Sequence, residues 1–186
     1  MSELHTVMTG LVFGEQPRWH EDRLWFSDWG TQEVIAVDLE GNSEVIVREP
    51  SIPLCIDFLP DGRLLMASGR RILRREPDGS LATHADLTSL SDLGWNEIVA
   101  DGRGNAYVNT AGFDLMGGAK FAPGTVALVT PDGFARQLAG GVAFPNGMAV
   151  TPDNSTLTAT GITTPSWKRA LTMSSWTCSS RARAPE

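Results

Sequence analysis

Short apolar runs separated by turn residues fill the chain from its start to about residue 157, and the turns repeat. The marks are Glu21-Asp22-Arg23-Leu24-Trp25, Pro60-Asp61-Gly62-Arg63-Leu64-Leu65, Asp101-Gly102-Arg103-Gly104-Asn105-Ala106-Tyr107 and Pro152-Asp153-Asn154-Ser155-Thr156-Leu157. The first apolar residue after each turn is Leu24, Leu64, Ala106 and Leu157 in succession. A step of about forty residues, filled with short strands, is the period of a β-propeller blade. One such unit cannot bury both its faces alone, so neighbours must stack.

The interior of each unit repeats as well. Leu24-Trp25-Phe26-Ser27, Val34-Ile35-Ala36-Val37 and Glu44-Val45-Ile46-Val47 read as strands of the first. Leu64-Leu65-Met66-Ala67, Arg71-Ile72-Leu73-Arg74 and Leu81-Ala82-Thr83 follow in the second. The third holds Ala106-Tyr107-Val108-Asn109, Val126-Ala127-Leu128-Val129 and Ala135-Arg136-Gln137-Leu138. Pro77-Asp78-Gly79 and Pro131-Asp132-Gly133 suit type I turns, with proline presetting φ and glycine accepting a positive φ. No long stretch keeps a 3.6-residue period, and Gly and Pro interrupt throughout, so the pattern predicts an all-β chain. Three blades and the start of a fourth are predicted over residues 1–157, a partial propeller domain and part of a larger ring.

Blade three carries an insertion from Gly112 to Gly124, either a wall of a binding site or a surface excursion. The tail, 158–186, departs from the repeat. It is rich in Ser and Thr, has no acid before Glu186, and carries Trp167 and Trp176 without apolar neighbours at strand spacing. Two readings stand: a lost reading frame or faulty gene model near Leu157, or a divergent segment capping the third blade.

Charge and cysteine content narrow the function classes. The 186 residues carry a formal net charge of −7, and no basic stripe interrupts the first 154, which argues against a nucleic-acid surface. Cys55 and Cys178 form no CxxC pair, and two distant cysteines fit a reducing cytosol better than a disulfide framework. No apolar run reaches the roughly 20 residues of a membrane span, so a cytoplasmic protein without a membrane partner is expected. His5, His20 and His84 lack metal-ligand spacing, and there is no GxSxG elbow or phosphate loop.

A propeller's innermost strands line its channel, so polar residues recurring there carry the candidate chemistry. Glu15 lies nine residues before Leu24, Asn96 ten before Ala106 and Asn146 eleven before Leu157, with Leu54 at the matching place in blade two. One carboxylate and two amide oxygens suit a hard divalent cation, Ca²⁺ first, with Mg²⁺, Mn²⁺ or Zn²⁺ as alternatives. Glu97 follows Asn96 and is a candidate to support it at the site, although strand alternation would turn it away from the channel.

The words around these residues are Gly14-Glu15-Gln16-Pro17-Arg18-Trp19, Trp95-Asn96-Glu97-Ile98-Val99-Ala100-Asp101 and Phe144-Pro145-Asn146-Gly147-Met148-Ala149. Together they resemble the gluconolactonase/regucalcin-like (senescence marker protein) family over residues 10 to 157. The resemblance implies a six-bladed propeller with one divalent metal near the channel mouth, held by Glu15, Asn96 and Asn146, and Asn96 also lying against substrate. It implies a metal-dependent hydrolase of sugar lactones, in which the metal polarises the lactone carbonyl. The family's fourth ligand is an aspartate in a later Pro-Asp-Gly segment, which doubles as general acid/base. No such segment follows Asn146, so the catalytic residue is unassigned and turnover by this chain is expected to be impaired. The alternative is a non-catalytic propeller module that binds calcium or a protein partner. Self-association through the exposed face of the last blade is expected in either case.

Overall fold

Most of the repeated turns close in one way, whereas the first, at Glu21-Asp22, is a two-residue hairpin with both residues at positive φ. In a computed structural model describing residues 5–162 and the strand at 173–178, the Leu59 amide donates to the Arg63 carbonyl at 2.9 Å, and the Gly62 amide to the Leu59 carbonyl at 2.9 Å. The same pair of bonds closes Glu76–Ser80, Asp101–Asn105 and Thr130–Phe134. Each places a glycine at positive φ, as Gly62 at 85°, and the longer Thr151–Thr156 turn of the fourth blade uses Asn154 at 57°.

Between these turns run short antiparallel strands. The first sheet holds β1 (Gly14–His20), β2 (Arg23–Asp28), β3 (Glu33–Val37) and β4 (Ser43–Arg48) in sequential order. The second holds β5 (Leu54–Phe58), β6 (Leu64–Ser68), β7 (Arg71–Arg75) and β8 (Leu81–Asp86). The third holds β9 (Glu97–Ala100), β10 (Ala106–Thr110), β11 (Gly124–Val129) and β12 (Ala135–Val142). A fourth sheet comprises β13 (Met148–Val150), β14 (Leu157–Ile162) and β15 (Met173–Cys178). Among the described residues there is no helix, hence none long and apolar enough to cross a membrane.

Leu24, Leu64, Ala106 and Leu157 all fall on the second strand of their sheets, so the repeat marks equivalent positions. Inner strands touch in chain order, β1 with β5, β5 with β9, and β9 with β13, the succession of a propeller. One difference concerns the tail. Residue 157 opens β14 rather than closing the regular structure, and β15, which contains Trp176, pairs with β14 in register from Leu157↔Cys178 to Ile162↔Met173. Ser- and Thr-rich composition hid these strands, because their pairing comes from a partner strand rather than from apolar periodicity. The rest of the expected tail, 163–172 and 179–186, lies outside the described residues.

The blades are joined by their buried faces. Val34, Val47, Leu54, Ile56, Leu64, Met66 and Leu73 pack sheet one on sheet two, with Trp25 and Trp29 against them. Cys55, Leu65, Ile72, Leu87, Trp95, Ile98, Val108 and Val129 pack sheet two on sheet three. The far face of sheet one, at Phe26, Ile35 and Val37, is covered by Val7 and Met8 from the segment before β1. Trp29 also donates its indole N–H to the Leu54 carbonyl at 2.7 Å, which ties sheet one to the inner strand of sheet two.

Candidate functional site

Glu15, Asn96 and Asn146 stand at or just before the start of β1, β9 and β13, the innermost strands of blades one, three and four. All three are half-buried. Their backbones are fixed: the Asn96 amide donates to the Asn109 carbonyl at 2.6 Å and the Asn146 amide to the Thr160 carbonyl at 2.9 Å, and the Glu15 carbonyl accepts the Ser27 hydroxyl at 3.3 Å. Their side chains take part in no hydrogen bond or ion pair among the described residues. Blade two presents Leu54 instead, fully buried.

Local devices aim each position. The pairing of β1 with β2 slips between Glu15 and Arg18, at Gln16, whose φ is 52°. Such a bulge redirects the neighbouring side chain, and Gln16 secures it by donating Nε2 to the Ile98 carbonyl at 2.7 Å. Just ahead of Glu15, the Asp28 carboxylate receives the amides of Val12 and Phe13 at 2.9 Å each, and of Gly30 at 2.9 Å. Burial alone raises the Asp28 pKa, but these N–H groups outweigh it and hold the carboxyl below its ordinary value. Around Asn146, Phe144 packs on Phe113 at 5.8 Å between ring centroids, and Phe113 on Phe121 at 5.5 Å. The blade-three insertion therefore rests against the segment that carries Asn146.

Three inner strands are also clasped together. Arg18 on β1 meets Asp57 on β5 at 3.1 Å and donates to the Ile98 carbonyl on β9 at 3.0 Å, while Asp57 accepts the Ala100 amide at 2.7 Å. The buried Cys55 thiol donates to the Asn96 carbonyl. Burial, then the charges of Glu97 and Glu15, push the Cys55 pKa well up. On the far side of Asn96, Asn109 donates Nδ2 to the Asn146 carbonyl at 2.8 Å.

Asn96 directly precedes the β9 ladder, which begins at Glu97 opposite Asn109. Glu97 is only 8% exposed. Burial pushes its carboxyl up to about 7; Arg18 draws it down, and Glu15 and Asp57 add to the rise. Glu15 and Glu97 thus share an electrostatic neighbourhood. Asp132 sits where its Pro-Asp-Gly turn predicts, between β11 and β12, hydrogen-bonded to Thr130.

The donor set fits a hard cation in kind. One carboxylate and two amide oxygens, all uncommitted, are what such an ion takes from a protein, with water completing its shell. Among the described residues no cluster of three or more His, Cys, Asp and Glu side chains offers a different place. An open pocket of about 270 Å³ lies elsewhere, between turns of blades two and three, lined by Arg63, Arg74, His84 and Arg103. Its Arg63 and Arg74 are paired with Asp61 and Glu76.

Successive antiparallel meanders whose first strands touch in chain order define the β-propeller fold. Residues 13–173 match the SMP-30/Gluconolactonase/LRE-like region, and the chain belongs to that family. A pentonolactonase of Haloferax volcanii is 30% identical over 155 residues, covering 82% of this chain and 51% of the relative. Among solved structures, a gluconolactonase of Xanthomonas campestris superposes with TM-score 0.68 at 22% identity, covering 84% of this chain and 57% of the other. The calcium-binding regucalcin of Agrobacterium tumefaciens gives TM-score 0.65 at 20% identity, covering 83% and 56%. The chain spans about half the length of its curated relative and less than three fifths of each of these structures.

Proposed function

We propose that this chain belongs to a cation-dependent hydrolase of sugar lactones, and that Glu15, Asn96 and Asn146 hold the cation. The observation that carries the reading is the set of three uncommitted oxygen-bearing side chains at equivalent inner-strand positions, in a chain related to a pentonolactonase. A divalent cation bound there, Ca²⁺ in the first instance, would supply Lewis-acid polarisation of a lactone carbonyl. Asn96 also serves the substrate, since its amide can hydrogen-bond a sugar hydroxyl and orient the ring. The proton-handling carboxylate is the part with no candidate at the family's position, because no Pro-Asp-Gly follows Asn146 in these 186 residues. Asp153, in Pro152-Asp153-Asn154, is spent on Thr151 at 2.6 Å and Ser155 at 2.9 Å in its own turn.

General acid/base catalysis by such a carboxylate contributes about 10²–10⁴-fold. The test is pH-stat hydrolysis of a panel of pentono-, hexono- and aliphatic lactones with and without Ca²⁺, Mg²⁺, Mn²⁺ and Zn²⁺. Cation-dependent turnover, abolished by Glu15→Ala and strongest on sugar lactones, is the expected result. Hydrolysis indifferent to chelator, or unaffected by Glu15→Ala, would overturn the assignment. A second reading, a calcium-binding module without catalysis, draws on the calcium-binding regucalcin among the structural neighbours. Cation binding with no turnover on any lactone would favour it.

A further inference from the structure

We propose that Asn109 is a positioning residue that fixes Asn96 and Asn146 relative to each other across the gap between blades three and four. The inference rests on the cation site proposed above. Asn109 lies on β10, opposite Glu97 on one side and Val126 on the other, and is fully buried. Its carbonyl accepts the Asn96 amide at 2.6 Å, and its own side-chain Nδ2 donates to the Asn146 carbonyl at 2.8 Å. One residue therefore holds the backbone of both candidate ligands, which come from different blades.

The surroundings make an asparagine here hard to explain by packing. Its strand neighbours Val108 and Thr110 are buried, and Val126 beside it is buried too. Asparagine is disfavoured in strands, and an apolar side chain of the same size would fill the space without a polar burden. The Oδ1 atom makes that burden visible: it is buried with no hydrogen-bond partner among the described residues. A buried amide satisfied on only one side is a poor stability device. The satisfied side is the one that faces Asn146. The other contacts of the ligand backbones complete the arrangement, with Cys55 on the Asn96 carbonyl and Thr160 on the Asn146 amide. Asn109 alone among them joins the two ligands directly. Residues that orient a metal's ligands without touching the metal commonly govern affinity by about 10–100-fold.

The test is a double-mutant cycle on the 186-residue chain, read by calorimetric titration with Ca²⁺ and by Tb³⁺ luminescence lifetimes, which count waters on the bound ion. Asn109→Leu keeps the volume and removes the donor; Asn109→Ala serves as the second variant, and circular dichroism checks that each is folded. Asn109→Leu should weaken Ca²⁺ binding at least tenfold and add about one water to bound Tb³⁺ (the loss of one oriented ligand). In the Asn146→Ala background the same change should have no further effect, whereas in the Glu15→Gln background it should keep its full effect. A residue that mattered only for the fold would weaken binding equally in every background. Affinity within twofold of the parent in both Asn109 variants, or equal losses in the two backgrounds, overturns the proposal while leaving the cation site standing. If the parent binds no Ca²⁺, or Asn146→Ala binds as well as the parent, the cation site itself falls and this inference with it.

Discussion

Removing the Asp57 carboxylate should cost the chain a large share of its stability, because that group joins three blades at once. It accepts Arg18 Nε from β1 at 3.1 Å and the Ala100 amide from β9 at 2.7 Å, with side-chain exposures of 14% for Asp57 and 25% for Arg18. In Asp57→Ala both bonds are lost: the Ala100 N–H is left without its partner, and the Arg18 guanidinium loses its counter-charge and keeps only neutral carbonyl acceptors such as Ile98. Hydrogen bonds to a charged group contribute about 1.5–3 kcal/mol each, and stripping one partner from a buried pair costs about 3–5 kcal/mol. Partial exposure of Arg18 screens some of this, so the loss should sit near the lower end, about 3 kcal/mol. With a urea dependence of about 2 kcal/mol per molar, the midpoint should fall by about 1.5 M, measured by intrinsic tryptophan fluorescence. Arg18→Met combined with Asp57→Leu should recover most of the loss, since no charge is then left unpaired. A midpoint shift under about 0.5 M in Asp57→Ala would refute the claim that this clasp secures the inner strands.

Glu97, with its pKa raised to about 7 from an ordinary 4.5, binds its proton more readily folded than unfolded. Between those two values the native state holds more protons, so its contribution is fully present below about pH 4.5 and is lost as pH rises to 7. Cation-free stability attributable to Glu97 should decline by up to about 3 kcal/mol across that window, and the decline should be absent in Glu97→Gln; equal pH slopes in the two proteins would contradict the burial of this carboxyl. Gly124→Ala drives a Cβ into the Thr110 carbonyl oxygen and to 2.7 Å from Pro145 Cδ. It should lower stability by about 1–3 kcal/mol and loosen the approach to Asn146, and a thermal midpoint equal to the parent's would count against so close a contact.

What the sequence made legible was the part encoded locally. Turn chemistry at Pro60-Asp61-Gly62 and its counterparts, and the apolar residue that follows, located the second strand of every sheet and so the blade repeat. The polar residues at the mouths of the inner strands could be counted out from the same marks. Contacts between blades were not legible. Nothing near Arg18 announces Asp57, thirty-nine residues away, nor near Asn109 the Asn146 carbonyl thirty-seven away. Nor does anything near Glu97 announce its burial, which comes from packing between blades. The pairing of β14 with β15 was hidden for a related reason, since Ser and Thr strands announce themselves only when a partner is known.

Everything proposed for the site depends on Glu15, Asn96 and Asn146 acting together on one cation. Calorimetric titration of the 186-residue chain with Ca²⁺, alongside Glu15→Gln, Asn96→Ala and Asn146→Ala, examines that dependence without relying on turnover. A single site in the parent is expected, with a loss of at least tenfold in affinity in each variant. Glu15→Gln should be the most severe, because it removes the only charge in the set. A parent that binds no divalent cation, or three variants that bind as the parent does, would contradict the shared site.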